Sequence, residues 1–406
     1  MPYLDDPSFR RAELEASLVN PDNEYSQQRL AHYESGGPGN WALLPEWNPA
    51  AETIAANELD APGGASTTSL SPSALPLSLP ASVSSEDDPA LVALGEAAFT
   101  HYPTSLAPYM PVALVSRSAA GKYGLWIDEA RGVGGLVRAR MGDGSVGLAV
   151  TCSTCHSVHA ADGTWSPGMP NPHLDVGAAM VAGQGGLDPA LVSEMLAWGP
   201  GRLDVTTNTG KEPVRIPDLR PVRWLTYLQQ DATLHVRDLT TLAIRIETLI
   251  ITSNEQAVRP PRMISLALAA YLRSLGSSLP SVDGASAASP AGASLFTTHC
   301  ASCHVPPALT GNPVPLATIG TDPTLGLSLV RGTGTYRVPS LHGVGSRGPL
   351  LHDGTVPSLG ALFGPARITP AFTGKLHGTG AVPGHLYGLD LSDSDRSALI
   401  AYLEAL

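Results

Sequence analysis

Aromatic residues make up only 5% of this 406-residue chain and charged residues 15%. Basic residues are the scarcer sign, 24 Lys and Arg against 36 Asp and Glu, for a net charge of −12. With no basic runs, that balance argues against nucleic acid as a partner. No run of 18 or more apolar residues exists, so no segment reads as a transmembrane helix. The opening MPYLDD has neither a basic n-region nor an apolar h-region, and it reads as a mature amino terminus behind an added Met1. Methionine is missing beyond residue 275. Asp and Glu form no metal-loop pattern.

What is plentiful is glycine (42) and proline (37), together roughly a fifth of the chain. They predict many loops between compact elements. Hydrophobic residues, at 43%, suffice for a core, and the length suggests two or three domains.

Cysteine is scarce but patterned. All four sit in two copies of C-x-x-C-H: Cys152-Ser153-Thr154-Cys155-His156 and Cys300-Ala301-Ser302-Cys303-His304. This is the attachment sequence of a c-type haem. Two sulfurs at this spacing reach two vinyl groups, and the adjacent histidine lies under the iron as its proximal ligand. Three other readings compete. The pairs, about 145 residues apart, could form one four-cysteine zinc site, but that leaves the paired histidines unexplained. A redox disulfide would call for a βαβ context, which is not visible. Chance is the third. The haem reading accounts for the most residues. It predicts two covalently bound c-type haems held by Cys152, Cys155, Cys300 and Cys303, with His156 and His304 on the irons. Haem attachment of this kind takes place outside the cytoplasm, so the protein is expected to be periplasmic or otherwise exported.

The chain echoes itself around these motifs. Gly95-Glu96-Ala97-Ala98-Phe99 precedes the first, and Gly292-Ala293-Ser294-Leu295-Phe296 lies just before the second. Both are G-x-x-x-F, and Asp88 and Pro89 read as N-cap and first residue of a helix. Residues 100–151 separate the first of these helices from its haem motif. Further on, Ala267 to Leu275 and Ala398 to Leu406 agree at six of nine positions, and each reads as a short amphipathic helix. Ile216-Pro217-Asp218-Leu219 followed by Leu234-His235 is echoed by Val338-Pro339-Ser340-Leu341 followed by Leu351-His352.

A Gly/Phe helix, a C-x-x-C-H motif and a terminal AYLxxL helix resemble the cytochrome c fold, here duplicated. In that family the first and last helices cross beside the haem. Tyr336 to Leu341 together with Leu351-His352-Asp353-Gly354 is similar to a signature of the di-haem cytochrome c peroxidase superfamily. That group includes the methylamine-utilisation di-haem enzymes and the rubber oxygenases. The resemblance covers residues 88–406. It implies a mainly α fold, with two cytochrome c-like haem domains, extensive loops and little sheet. The expected layout is an N-terminal arm (1–60), a Ser/Pro/Ala-rich linker (61–86), a first haem domain (87–275, insertion 100–151), a second linker (276–290) and a second haem domain (291–406).

The sixth iron position separates electron carrier from enzyme, because a six-coordinate haem moves electrons and an open iron binds peroxide or oxygen. Without methionine past residue 275, His–Met ligation of the second haem within its own domain is excluded, a departure from the peroxidase pattern. His385, in Val382-Pro383-Gly384-His385, resembles the late distal histidine of the rubber oxygenases and is the leading candidate. His352 and His377 are alternatives, and an open site is another. His299 is too close to Cys300 to cross the ring. For the first haem, His173 lies 17 residues past His156, near the spacing of the distal histidine in the peroxidase amino-terminal domain. Met169, Met195, His235, Met263 and Met110 also remain open, whereas His159 is too near the proximal ligand. Trp224 is either a core aromatic or an electron relay. The expected function is single-electron transfer with a basic redox partner. The rival is a peroxidase-like or oxygenase-like enzyme with one open iron, with His173, Glu194 or Glu247 as acid/base.

Overall fold

Asp88 caps a helix over Pro89–His101 by accepting the Ala90 amide at 3.0 Å. Gly95, at its centre, lets a second helix, Arg262–Ser274, cross at backbone contact. A Cβ on Gly95 would lie 2.0 Å from the Ala267 carbonyl oxygen. Phe99 and Tyr271 then meet across the crossing, ring centroids 5.4 Å apart. The same construction occurs near the carboxyl end. Helix Pro290–His299 crosses Asp393–Glu404, a Cβ on Gly292 would lie 2.1 Å from the Ala398 oxygen, and Phe296 meets Tyr402 at 5.2 Å.

The computed structural model describes residues 1–160, 162–204, 211–374 and 378–406. They fall into two compact units. The first comprises Met1–Ser17, Gln27–Gly201 and Arg237–Ser274; the second comprises Leu18–Ser26, Arg202–Val236 and Leu275–Leu406. Each holds one helix crossing and one C-x-x-C-H motif.

The first unit also contains a sheet. Four antiparallel strands lie in the order Ala51–Thr53, Leu136–Arg140, Val146–Val150, Ser105–Leu106. Leu136–Arg140 and Val146–Val150 pair through a tight turn in which Met141 donates to the Ser145 carbonyl and Gly144 takes φ +86°. Helix amounts to 41% and strand to 11%, spread over several small sheets, so the fold is mixed α/β and the mainly α expectation is overturned. The reason lies in residues 100–151. Leu136-Val137-Arg138-Ala139-Arg140 and Val146-Gly147-Leu148-Ala149-Val150 are two short apolar runs around a Gly/Asp turn, which is a hairpin pattern. Strand Ala51–Thr53, from the region expected to be an arm, supplies the outer partner.

Helix Pro7–Ser17 packs against Leu239–Ser253 in this unit, over a buried polar cluster. Tyr3 and Tyr33 both donate to Glu247 Oε2 at 2.8 Å, and Glu34 accepts from Arg10 and Arg262 at 2.7 Å each.

In the second unit, residues 276–290 include a short helix, Val282–Ala288, lying on the crossing pair. The core here is Phe296, Leu309, Val356, Phe363, Leu399 and Tyr402 with their neighbours. Among the described residues of this unit, strand pairing is limited to two-residue segments, such as Val314–Pro315 with Thr335–Tyr336. Among the described residues no helix is long and apolar enough to cross a membrane.

Candidate functional site

Helix Pro290–His299 runs straight into the second cysteine motif. The Cys303 and His304 amides both donate to the Cys300 carbonyl, at 3.1 and 2.9 Å. One tight turn therefore carries both sulfurs and the imidazole. His304 Nδ1 lies 3.1 Å from the Leu309 carbonyl oxygen. A backbone acceptor at one ring nitrogen fixes the tautomer and leaves Nε2 with the lone pair that metal ligation uses.

These residues line a cavity with an empty volume of about 1250 Å³, open mouth included. Its apolar wall includes Ile319, Leu350, Leu359, Leu362 and Phe363. Burial, and next the nearby His385 imidazole, push the pKa of His304 down to about 4, so the ring is neutral at physiological pH. Burial also pushes the Cys300 thiol up to about 11.

His385 lines the same cavity. Its loop is held tightly. Arg367, completely buried, donates to the carbonyls of Leu362, Val382 and His385 at 2.6, 2.7 and 2.7 Å. The His385 amide donates to Ile319 at 2.7 Å. Gly384 takes φ +77°, and a Cβ there would lie 2.2 Å from the Thr321 nitrogen. His385 itself has φ +44°, a left-handed conformation that costs free energy in a non-glycine residue. Burial holds its pKa down to about 4. Its Nδ1 is buried with no hydrogen-bond partner among the described residues. A buried ring nitrogen in that state is costly unless a ligand or metal engages the ring.

His352 is also in the cavity wall, but it is engaged by Tyr336. The two rings stack at 4.3 Å, and Tyr336 Oη lies 3.3 Å from Nε2. His299 lines the cavity beside Cys300. His342 lies 2.8 Å from the Pro307 carbonyl through Nε2 and stacks at 3.9 Å on Trp224. His377 lies outside the described residues. The residues present fit a c-type haem: two thiols and a neutral histidine on one turn, a large apolar cavity, and a second neutral histidine held on its wall.

The first motif is built differently. Thr151 precedes a single helical turn, Cys152–Cys155, and Thr151 and Thr154 hydroxyls both donate to the Gly135 carbonyl, at 2.8 and 3.0 Å. The hairpin of the insertion thus positions the cysteines. Burial pushes the Cys152 and Cys155 thiols up to about 12. The His156 carbonyl accepts from Gly168, and the Cys155 carbonyl from Asn171. His173 is exposed and lines a separate hollow with His159, Trp126 and Asn171. His159 pairs with Asp128 at 3.0 Å. Met110 and Met195 are buried, Met169 and Met263 half-buried. His235 belongs to the second unit, where it is exposed and packs on Tyr227 at 4.9 Å. Glu247 is committed to Tyr3 and Tyr33, and Glu194 is half-buried on helix Pro189–Trp198.

No disulfide joins any of the four cysteines. Among the described residues, no three His, Cys, Asp or Glu side chains gather as a metal cage. Sequence reasoning missed Arg367, which carries no motif signal, and the cavity arginines Arg215, Arg337 and Arg347. Of these only Arg337 lay inside a segment already singled out. Comparisons with protein-family models and with curated proteins find no match to this chain.

Proposed function

We propose that this chain is an exported di-haem c-type cytochrome that passes single electrons between redox partners, with one haem attached in each unit. The observation that carries the reading is the cavity of the second unit, where Cys300, Cys303 and His304 share the lining with His385. A bound haem supplies a one-electron couple at its iron. The residues of the chain do the rest. Cys300 and Cys303 would tether a haem through their sulfurs, and His304, oriented by the Leu309 carbonyl, would offer its imidazole to the iron. His385, held by Arg367 and Gly384, would supply a second imidazole, and a pair of histidine ligands would give a lower potential than histidine with methionine. The net charge of −12 suits a basic partner and an encounter that weakens with salt.

A second reading is favoured by one observation, the exposed position of His173, which leaves the distal place at the first haem without its leading histidine. There the first iron is open and the protein is a peroxidase-like or oxygenase-like enzyme. Absorption and EPR spectra of the oxidised holoprotein separate the two. Two low-spin haems support the carrier. A high-spin ferric signal that shifts with cyanide or peroxide supports the enzyme.

A further inference from the structure

The cavity of the second unit has a cationic wall that ligation of iron does not use. Arg215, Arg337 and Arg347 all line it. Arg215 and Arg347 are only 5% and 7% exposed. A guanidinium does not shed its proton under physiological conditions, so three permanent charges face one apolar cavity. Their existing partners are backbone carbonyls and an amide. Arg215 Nε donates to Leu351 at 2.8 Å, Arg347 donates to the Ser340 carbonyl, and Arg337 reaches the Gln230 side chain at 3.5 Å.

No carboxylate ion-pairs with any of the three among the described residues; Asp218, Asp353 and Asp231 attract them only from beyond ion-pair distance, and each has a hydrogen-bond partner of its own. Asp218 pairs with Arg220 at 2.7 Å, Asp353 accepts from the Thr355 amide and hydroxyl, and Asp231 accepts from Thr233. The Nε atoms of both Arg337 and Arg347 are buried without a hydrogen-bond partner among the described residues. Burial, together with repulsion from a neighbouring arginine, pushes all three pKa values down to about 10, so they stay charged at neutral pH. Buried like charges with unused donors are unfavourable unless an anion completes them. Forked donors match planar carboxylates best.

We propose that this guanidinium wall is the seat of two carboxylates, the acid side chains of the porphyrin, so that Arg215, Arg337 and Arg347 fix which edge of the macrocycle faces inward and raise its reduction potential. The inference rests on the haem reading of the cavity. In that role the three are positioning residues, acting through charge on a group bound elsewhere by Cys300, Cys303 and His304.

The test uses natively matured holoprotein and its Arg337→Gln, Arg347→Gln and Arg347→Lys variants, with the first haem as internal reference. Each glutamine variant should lower the midpoint potential of the second haem, because a cation that favours the extra electron is gone. Arg347→Lys should retain most of the wild-type value. The propionate bending bands in resonance Raman should shift in the glutamine variants. In wild type, which needs no variant to fold, these bands should lie away from their position in urea-unfolded protein. Unchanged potentials and bands in both glutamine variants would overturn the inference while leaving two haems in place. So would wild-type bands identical in folded and unfolded protein. A potential that responds instead to added inorganic phosphate would give the wall to a free anion and also overturn it. A protein lacking the second haem by mass would remove the inference together with the reading it rests on.

Discussion

His385 sits at φ +44° with a buried, unpartnered Nδ1, a state that three hydrogen bonds from Arg367 help to enforce. Such cost is borne where geometry is put to use. Replacing it, His385→Gly, should convert the second haem from low-spin to high-spin in the ferric EPR spectrum and leave the first haem's signals alone. An unchanged spectrum would remove His385 from the iron. A second residue-scale prediction concerns His342, whose ring is kept neutral chiefly by burial, so that its pKa lies below the ordinary value of about 6.5. The unfolded chain takes up a proton near pH 6.5 and the folded chain resists it. The contribution of His342 to stability is therefore present above that pH and lost as pH falls through the folded value. On acidification below pH 6.5 the urea midpoint of wild type should fall relative to that of His342→Gln, whose glutamine can meet the Pro307 carbonyl without titrating. A wild-type midpoint that holds or rises relative to the variant would contradict this.

Among the elements, the two helix crossings were legible through the resemblance of their flanking repeats to the cytochrome c fold, and the structure gives that pattern a steric meaning. A glycine four residues before a phenylalanine marks a backbone contact beside an aromatic one, and the alanine and tyrosine of AYLxxL mark the opposite side. Gly292→Val would put side-chain atoms against the Ala398 carbonyl, which cannot move without its helix. It should cost about 3 kcal/mol or more in urea unfolding, and a loss under 1 kcal/mol would mean the helices separate easily. The loop that carries His385 gives a second test. Arg367→Met removes three buried charged hydrogen bonds, so stability should drop by on the order of 3 kcal/mol and the second haem should show mixed spin. An unaffected haem spectrum would show that the loop holds itself. The hairpin at Leu136–Val150 carries a weak sequence signal, because its strands are five residues each and two of the five in the first are arginines. Arg367 and the cavity arginines were hidden for a different reason. Nothing in a sequence tells a buried arginine from a solvated one, and a charged residue is by default read as surface.

At the scale of the whole molecule, the two units are each assembled from separated stretches. Leu18–Ser26 and Arg202–Val236 join the second unit although both precede Leu275, while Arg237–Ser274 returns to the first. Sequence boundaries drawn as contiguous blocks cannot express such an exchange, because local composition records linkers and not long-range packing. The motif pair is what survives this rearrangement. Each unit retains one C-x-x-C-H and one glycine-centred crossing, so the motif and its supporting helices repeat even where the surrounding elements differ. Covalent attachment at both motifs is what the proposed function requires above all. The most direct measurement is the intact mass of the natively matured protein, with its pyridine haemochrome spectrum. The predicted result is the polypeptide plus two haems that acidified acetone does not extract. A mass equal to the bare chain, or zinc in place of iron, would contradict it.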